Sequence, residues 1–85
     1  MEEKLIGKIT HYFTNIGVGV IEITVGDLKV GDKIHIKGAT SDFEQTIDSM
    51  QIEHESIEKA KKGDAVGLKV DQQVREGDQV FKIVE

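Results

Sequence analysis

The chain has 85 residues, enough for one small domain, so we expect residues 1–85 to fold as a single unit. Hydrophobic residues make up 38% of it and charged residues 32%, which excludes intrinsic disorder, and the absence of cysteine excludes disulfides and thiolate metal sites. The formal net charge of −5 disfavours nucleic-acid binding through bulk charge, and no DNA partner is expected.

The sequence carries neither of the features that would direct it to a membrane. No apolar run approaches the roughly 20 residues that a helix needs to cross a bilayer, so no membrane partner is expected. The first residues, MEEKLIGK, are acidic and lack the basic and then apolar order of a signal peptide. These features predict a cytoplasmic protein.

Short runs rich in β-branched residues, separated by Gly-Asp pairs, predict six strands in chain order. Their predicted bounds are residues 4–13, 16–24, 32–38, 43–53, 64–70 and 78–84. The parity of the apolar positions changes within residues 17–23, which predicts a β-bulge or a strand covered on both faces, and a change between Ile47 and Met50 predicts a second bulge. Glu and Lys at i, i+4 spacing in residues 55–62 predict one short helical turn.

Alternation of apolar and polar residues along these strands predicts which side chains form the core. The predicted core residues are Ile9, Val18, Val20, Leu28, Ile34, Ile36, Ile47, Met50, Ile52, Val66, Leu68, Val70, Val80 and Ile83. Closing the strands on themselves removes unpaired edges, so the sequence predicts an all-β fold in the form of a six-stranded closed antiparallel β-barrel.

One stretch raises the question of a nucleotide site. VGDLKVGDK, residues 25–33, holds two glycines at the spacing of a phosphate-binding loop, GxxxxGK[ST]. Asp32 stands where that loop needs Lys, and a predicted strand follows in place of a helix. Gly-Asp recurs at 63–64 and 77–78, again just before strands, so we interpret these pairs as turns and predict no cofactor.

Candidate catalytic and metal-binding residues are few. The histidines, His11, His35 and His54, show no ligand spacing, and His35 lies on the polar face of its strand, which favours a solvated side chain over a metal ligand. No serine stands in a GxSxG motif. We therefore predict no metal, no catalytic residue and a protein that is not an enzyme. A small hydrolase or metal enzyme that uses the histidines is kept as an alternative hypothesis.

An aromatic cluster beside a base raises the possibility of RNA contact. THYF, residues 10–13, follows Lys8 closely, and aromatic rings next to basic residues stack on unpaired nucleotides. The alternative is that Phe13 belongs to the core and Tyr12 covers the rim of the barrel. If RNA is the ligand, the candidate contact residues are Lys8, Tyr12, Lys33 and Lys37.

A family resemblance covers nearly the whole chain. The runs IGVGVIEI, GDLKVGDKIHIKG, FEQTIDSMQIEHESIEKAKKGDAVGLKV and VREGDQVFKIV resemble the second domain of translational GTPases such as elongation factor Tu. The matching residues are Gly31, Asp32, Gly38, Ser49, Met50, Gln51, Ala60, Gly63, Asp64, Gly67, Gly77 and Asp78. The resemblance implies a six-stranded antiparallel barrel of the translation-factor domain II type.

The same resemblance implies a non-catalytic binding module. Its partner would be RNA, either tRNA or rRNA, or a protein of the translation or RNA-modification machinery. Similar barrels also end larger enzymes of the collagenase-like peptidase family. The alternative function is therefore an accessory domain that docks on a separate enzyme of that kind, with the acidic second half of the chain meeting a basic partner.

Overall fold

The computed structural model describes residues 2–39, 41–53 and 55–84, and in these ranges the chain forms strands and turns without a helix. The strands are β1 (Glu2–Phe13), β2 (Val18–Ile23), β3 (Asp27–Lys29), β4 (Lys33–Lys37), β5 (Asp42–Thr46), β6 (Met50–Ile52), β7 (Glu55–Ile57), β8 (Lys59–Lys61), β9 (Ala65–Lys69) and β10 (Gln79–Val84). The all-β prediction is confirmed. None of the described segments is a helix that could span a bilayer.

Eight strands pair into one antiparallel sheet, in the order β5-β4-β10-β1-β2-β9-β6-β7, and β3 pairs with β8 in a second sheet. Backbone hydrogen bonds outside the strand ladders join the two sheets, such as Gly63 N–H, on the turn after β8, to the carbonyl of Ile23 in β2 at 2.8 Å. The strand pairs of the described residues do not link β5 to β7, so the six-stranded closed barrel is not confirmed.

The predicted helical turn at residues 55–62 is wrong, because β7 and β8 occupy this stretch. β8 pairs with β3, and its central residue, Ala60, is buried opposite Leu28. Helical ion pairs at i, i+4 contribute only a few tenths of a kcal/mol each, so packing and strand pairing outweigh them here.

The predicted strand 43–53 is also divided, since residues 47–49 leave the sheet between β5 and β6 at the place where a bulge was predicted.

β1 carries the irregularities of the sheet. Its pairing with β2 shifts register between Ile9 and His11, opposite Val20 and Ile21. The irregularity predicted for residues 17–23 therefore lies in the partner strand, while β2 keeps a strict alternation. A second shift, in the pairing with β10, falls between Leu5 and Gly7.

The core lies against the inner faces of both sheets. Ten of the predicted members are buried, and the buried apolar set is Ile6, Ile9, Ile21, Ile23, Leu28, Ile34, Ile36, Phe43, Ile47, Met50, Ala60, Val66, Leu68, Val70, Val74 and Val80. Four predicted core residues, Val18, Val20, Ile52 and Ile83, are only half-buried. The error at Val18 and Val20 follows from the alternation of β2, which turns Gly19, Ile21 and Ile23 inward.

The Gly-Asp pairs form turns, as predicted, and the hydrogen bonds repeat. The carboxylate of Asp32 accepts from Lys29 N–H at 3.0 Å, Asp64 accepts from Lys61 N–H at 3.0 Å, and Asp78 accepts from Arg75 N–H at 2.9 Å. The glycines before them have φ between 92° and 97°, a region that favours glycine. The bond runs three residues back along the chain and closes each turn before a strand begins.

Candidate functional site: an apolar groove on the outer sheet face

The outward side of β2 is unusually apolar for a surface strand. Because Gly19, Ile21 and Ile23 face the core, Val18 and Val20 face outward and remain half-buried. Neighbouring residues therefore cover them in part.

Small residues on the next strand make this outer face concave. Val20 pairs with Gly67 of β9, and Gly67 pairs in turn with Gln51 of β6, so the three form one row across the sheet. Gly67 has no side chain to fill the row, and Ala65 stands nearby on the same strand. The result is a groove of about 320 Å³ lined by Phe13, Ile16, Val18, Val20, Gln51, Glu53, Ala65 and Gly67.

The turn between β1 and β2 raises two large apolar side chains at the edge of the groove. Phe13 is 51% exposed and Ile16 is 63% exposed. The Phe13 carbonyl accepts hydrogen bonds from Ile16 N–H at 3.3 Å and Gly17 N–H at 2.9 Å, and Gly17 has a φ of 66°. Adjacent exposed apolar side chains beside a concave apolar surface are typical of a site that another molecule covers.

A charged cluster lies on the outer face of β4. His35 Nδ1 lies 2.9 Å from both carboxylate oxygens of Glu3, and His35 Nε2 lies 2.5 Å from Asp42 Oδ1. The hydrogen bond to Asp42, and next the one to Glu3, raise the pKa of His35, although partial burial acts in the opposite direction. Only 13% of the His35 side chain is exposed, so the prediction of a solvated histidine is wrong.

A second charged cluster joins the two sheets. Lys82 Nζ lies 3.3 Å from Asp27 Oδ1 and 3.3 Å from Asp32 Oδ2, and Lys59 Nζ lies 3.7 Å from Asp27 Oδ2. Burial alone would lower the pKa of Lys82, but its contacts with Asp27 and Asp32 raise it overall. The hydrogen bond from Lys82 lowers the pKa of Asp27. This cluster connects β10 to β3, and its role is structural.

Three of the four residues predicted to bind RNA share the outer face of the large sheet, and Tyr12 does not. Lys8 and Lys37 pair with the same residue of β10, Gln79, from opposite sides, so they share a row on the outer face. Lys33 lies on the same face of β4 and is paired with Glu44 at 3.2 Å. Tyr12 instead packs against the core.

The remaining aromatic and histidine predictions have different outcomes. Phe13 is not a core residue, because half of its surface is exposed. His11 Nδ1 lies 3.5 Å from Glu76 Oε1, and its ring centroid is 6.4 Å from that of Phe13. His54 lies outside the described residues.

Reasoning from the sequence missed the groove, although a signal for it was present. The parity change in GVGVIEI places valines and isoleucines on opposite faces of β2. A strand covered on both faces was one interpretation of that change, and the apolar groove lies on the outer face of this strand. The contribution of Gly67 depends on strand pairing, so no local pattern indicated it.

The fold and the groove define a class: a small all-β domain with an apolar groove on its outer face. Comparison with curated proteins gives relatives. The chain is 43% identical over 81 residues to an uncharacterized protease of Methanocaldococcus jannaschii, a match that covers 94% of this chain and 20% of the relative. It is 33% identical over 82 residues to a collagenase of Porphyromonas gingivalis, covering 95% of this chain and 23% of that protein. The chain thus spans about a fifth of the length of the curated relatives it matches.

A solved structure shares the fold. The C-terminal domain of a Geobacillus thermoleovorans protein described as a U32 peptidase superposes with a TM-score of 0.87 at 18% identity, covering 95% of this chain and 93% of that one. A selenomethionine variant of the same domain gives a TM-score of 0.85 at 18% identity, covering 91% and 96%. No protein-family model matches the chain.

The resemblance to the second domain of elongation factor Tu is wrong as an assignment. The relatives and the structural neighbour are proteases, collagenases and a U32 peptidase domain. The matched residues were mostly turn glycines, turn aspartates and core positions, and such residues serve any small sheet domain with the same turns. The expectation of a translation or elongation factor is wrong with it.

Proposed function

We propose that this chain is a non-catalytic accessory domain that docks on the catalytic body of a U32 peptidase or collagenase-type protein. The similarity to proteins named protease and collagenase supports the type of protein. The likeness to a C-terminal domain supports the role of a separate domain in such proteins. The curated relatives are about five times as long as this chain. About four fifths of each one therefore lies outside the matching segment, and we propose that the domain docks on this larger part.

The observation that carries the docking role is the groove beside Phe13 and Ile16. Two large apolar side chains at the rim, with Val18 and Val20 inside, make most of one side of the groove's lining apolar. Burial of such side chains contributes about 1.5–3 kcal/mol each when it is complete. The acidic Glu53 at the edge of the groove favours a partner with an apolar side chain flanked by Lys or Arg.

A binding titration tests the docking role. The probe is the Methanocaldococcus jannaschii protease from which the segment matching this chain has been deleted, titrated against the fluorescently labelled chain. We expect saturable binding that Ile16→Ser weakens about tenfold, because losing about 1.4 kcal/mol of apolar burial has that effect. Val25→Ser is the matched control, since Val25 is similarly exposed but lies away from the groove. Equal weakening by both variants, or no binding at all, would contradict the proposal.

The non-catalytic role has a separate test. Ser41, a buried hydroxyl, donates a hydrogen bond to the Gln73 carbonyl at 3.3 Å and is thereby committed to the fold. We expect the purified chain to leave gelatin and casein intact in prolonged incubations analysed on gels. Cleavage that persists through further purification, and that disappears in a histidine variant, would establish the hydrolase hypothesis in place of this one.

RNA contact remains a second candidate function, favoured by the shared row of Lys8 and Lys37 on either side of Gln79. A filter-binding assay with tRNA at two salt concentrations tests it, since contacts to phosphates weaken as salt rises. We expect Lys8→Ala and Lys37→Ala to weaken any such binding, with Lys62→Ala, on the turn between β8 and β9, as the control. Salt-insensitive or absent binding would remove this candidate.

A further inference from the structure

Three residues distant in sequence place ligand atoms close together on the outer sheet face. Glu3, His35 and Glu44 each offer one nitrogen or oxygen, and these atoms lie within 4.8 Å of one another. Glu3 belongs to β1, His35 to β4 and Glu44 to the edge strand β5. The cluster is outside the groove and has no part in the docking role.

Strand register holds the three residues in place. His35 pairs directly with Glu44, and directly paired residues of antiparallel strands have side chains on the same face. β10 lies between β4 and β1, with Phe81 paired to His35. Glu3 reaches across this strand to contact the imidazole. The positions are therefore fixed by pairing along the sheet, and not by a flexible loop.

The setting combines an apolar floor with an excess of carboxylates. The rings of Phe81 and His35 have centroids 6.3 Å apart, and Phe81 is half-buried. Asp42 adds a third carboxylate at 2.5 Å from His35 Nε2. The positive charge of Lys33, 3.2 Å from Glu44 Oε1, offsets part of this negative charge.

We propose that Glu3, His35 and Glu44 bind one divalent first-row transition metal ion, such as Zn²⁺, at the Nδ1 side of the imidazole, while Asp42 accepts a hydrogen bond from Nε2–H and orients the ring. One imidazole nitrogen and two carboxylate groups are a ligand set that Zn²⁺ accepts, and the nitrogen favours transition metals over Mg²⁺ and Ca²⁺. The metal takes the place of a proton on the imidazole, and Lys33 moves away from Glu44. This proposal departs from the sequence-based expectation of no metal ligand at His35.

The competing explanation is an ion-pair network in which protonated His35 lies between carboxylates and no metal binds. The two explanations differ in what removal of Lys33 does. If a metal binds, Lys33 competes with it for Glu44, so Lys33→Met should tighten binding. If the network binds no metal, Lys33→Met leaves metal titrations flat.

Isothermal titration calorimetry with Zn²⁺ alone, near neutral pH, tests the site. We expect one ion per chain, affinity lowered about tenfold or more by His35→Gln and by Glu44→Gln, and affinity raised severalfold by Lys33→Met. His11→Gln is the matched control, because His11 is an exposed histidine beside a single carboxylate, Glu76. Glu22→Gln is the control for Glu44, since both are exposed glutamates on strands.

The outcomes are decisive in either direction. Absence of Zn²⁺ binding by the wild-type chain at about 100 μM, or equal loss in His11→Gln and His35→Gln, would overturn the proposal. Circular dichroism of each variant checks folding. Should His35→Gln fail to fold, the imidazole resonances of the wild-type chain give an independent measure: Zn²⁺ should shift those of His35 and leave those of His11 in place.

Discussion

Gly7 occupies a position on β1 where the neighbouring backbone leaves no room for a side chain. A Cβ at this residue would lie 2.2 Å from the carbonyl oxygen of Glu22, and the other close atoms are also backbone. The register shift between Leu5 and Gly7 falls at the same place. A methyl group here would have to displace a paired strand, whereas at Gly67 the nearest atoms are at 3.6 and 3.7 Å and would tolerate it.

We therefore expect Gly7→Ala to lower the free energy of unfolding by about 1–3 kcal/mol or more through overpacking. Gly67→Ala is the control and should change it by less than about 1 kcal/mol. Urea denaturation followed by circular dichroism measures both. Similar stability of the two variants would show that β1 and β2 do not approach each other as closely as described.

Asp27 gives a pH-dependent contribution with a definite sign. Its hydrogen bond from Lys82 lowers its pKa below the usual value of a carboxyl group. A carboxyl group with a lowered pKa in the folded state stabilises the fold above the pKa of the unfolded state, and this contribution disappears as pH falls through the folded pKa.

Asp27→Asn should therefore be less stable than wild type near pH 7, and the difference should shrink as pH falls below about 4. Urea unfolding of both proteins across this range measures the gap. Asp48→Asn, a substitution at an exposed aspartate outside the strands, is the control. Its difference from wild type in the free energy of unfolding should be small, because Asp48 is not part of the Asp27–Lys82 ion pair. A gap for Asp27→Asn that is constant with pH would contradict the role of Lys82.

At the level of elements, β8 shows why local pattern failed in one place. Lys59 and Lys61 face outward and Ala60 inward, which is the alternation of a strand, but the stretch is too short for this to stand out from helical spacing. Pairing with β3 decided the structure, and β3 is about thirty residues away in sequence. A local window contains no information about that partner.

Ala60→Asp should lower the free energy of unfolding by about 2–3 kcal/mol, because the carboxylate would be buried next to Leu28 without a partner. Ala65→Asp is the matched control, since Ala65 is exposed at the start of β9. Thermal unfolding of the two variants compares them directly. A tolerated Ala60→Asp would mean that β8 does not pack on the core.

For the whole molecule, the arrangement of strands predicts its folding kinetics. The first and last strands, β1 and β10, pair at the centre of the large sheet, with Glu2 opposite Val84. Such long-range pairing predicts refolding in milliseconds to seconds. The chain contains no proline, so no phase of about 10–100 s from proline isomerisation is expected.

Stopped-flow dilution from urea, followed by a double-jump experiment, measures these phases. We expect the refolding amplitude to be the same after short and long times in the unfolded state. A slow phase that grows with time spent unfolded would contradict this expectation, and one that depends on protein concentration would indicate association of chains.

The sequence by itself determined the all-β class, the three Gly-Asp turns and most of the core. These features are local: alternation with period two marks the inward face of a strand, and glycine before aspartate closes a turn whatever lies elsewhere. Ile34 and Ile36 could be assigned to the core from IHIKG alone, and both are fully buried.

Only the tertiary structure decided which residues meet on the outer faces. The groove needs Gly67 beside Val20, and the charged cluster needs Glu3 beside His35, which are 32 residues apart in sequence. Register between distant strands sets both contacts, and a shift of one residue would turn every side chain of a strand to the opposite face. Turn residues common to many small sheet domains hold no information about strand register. For this reason they suggested a translation factor for a chain whose relatives are named protease and collagenase.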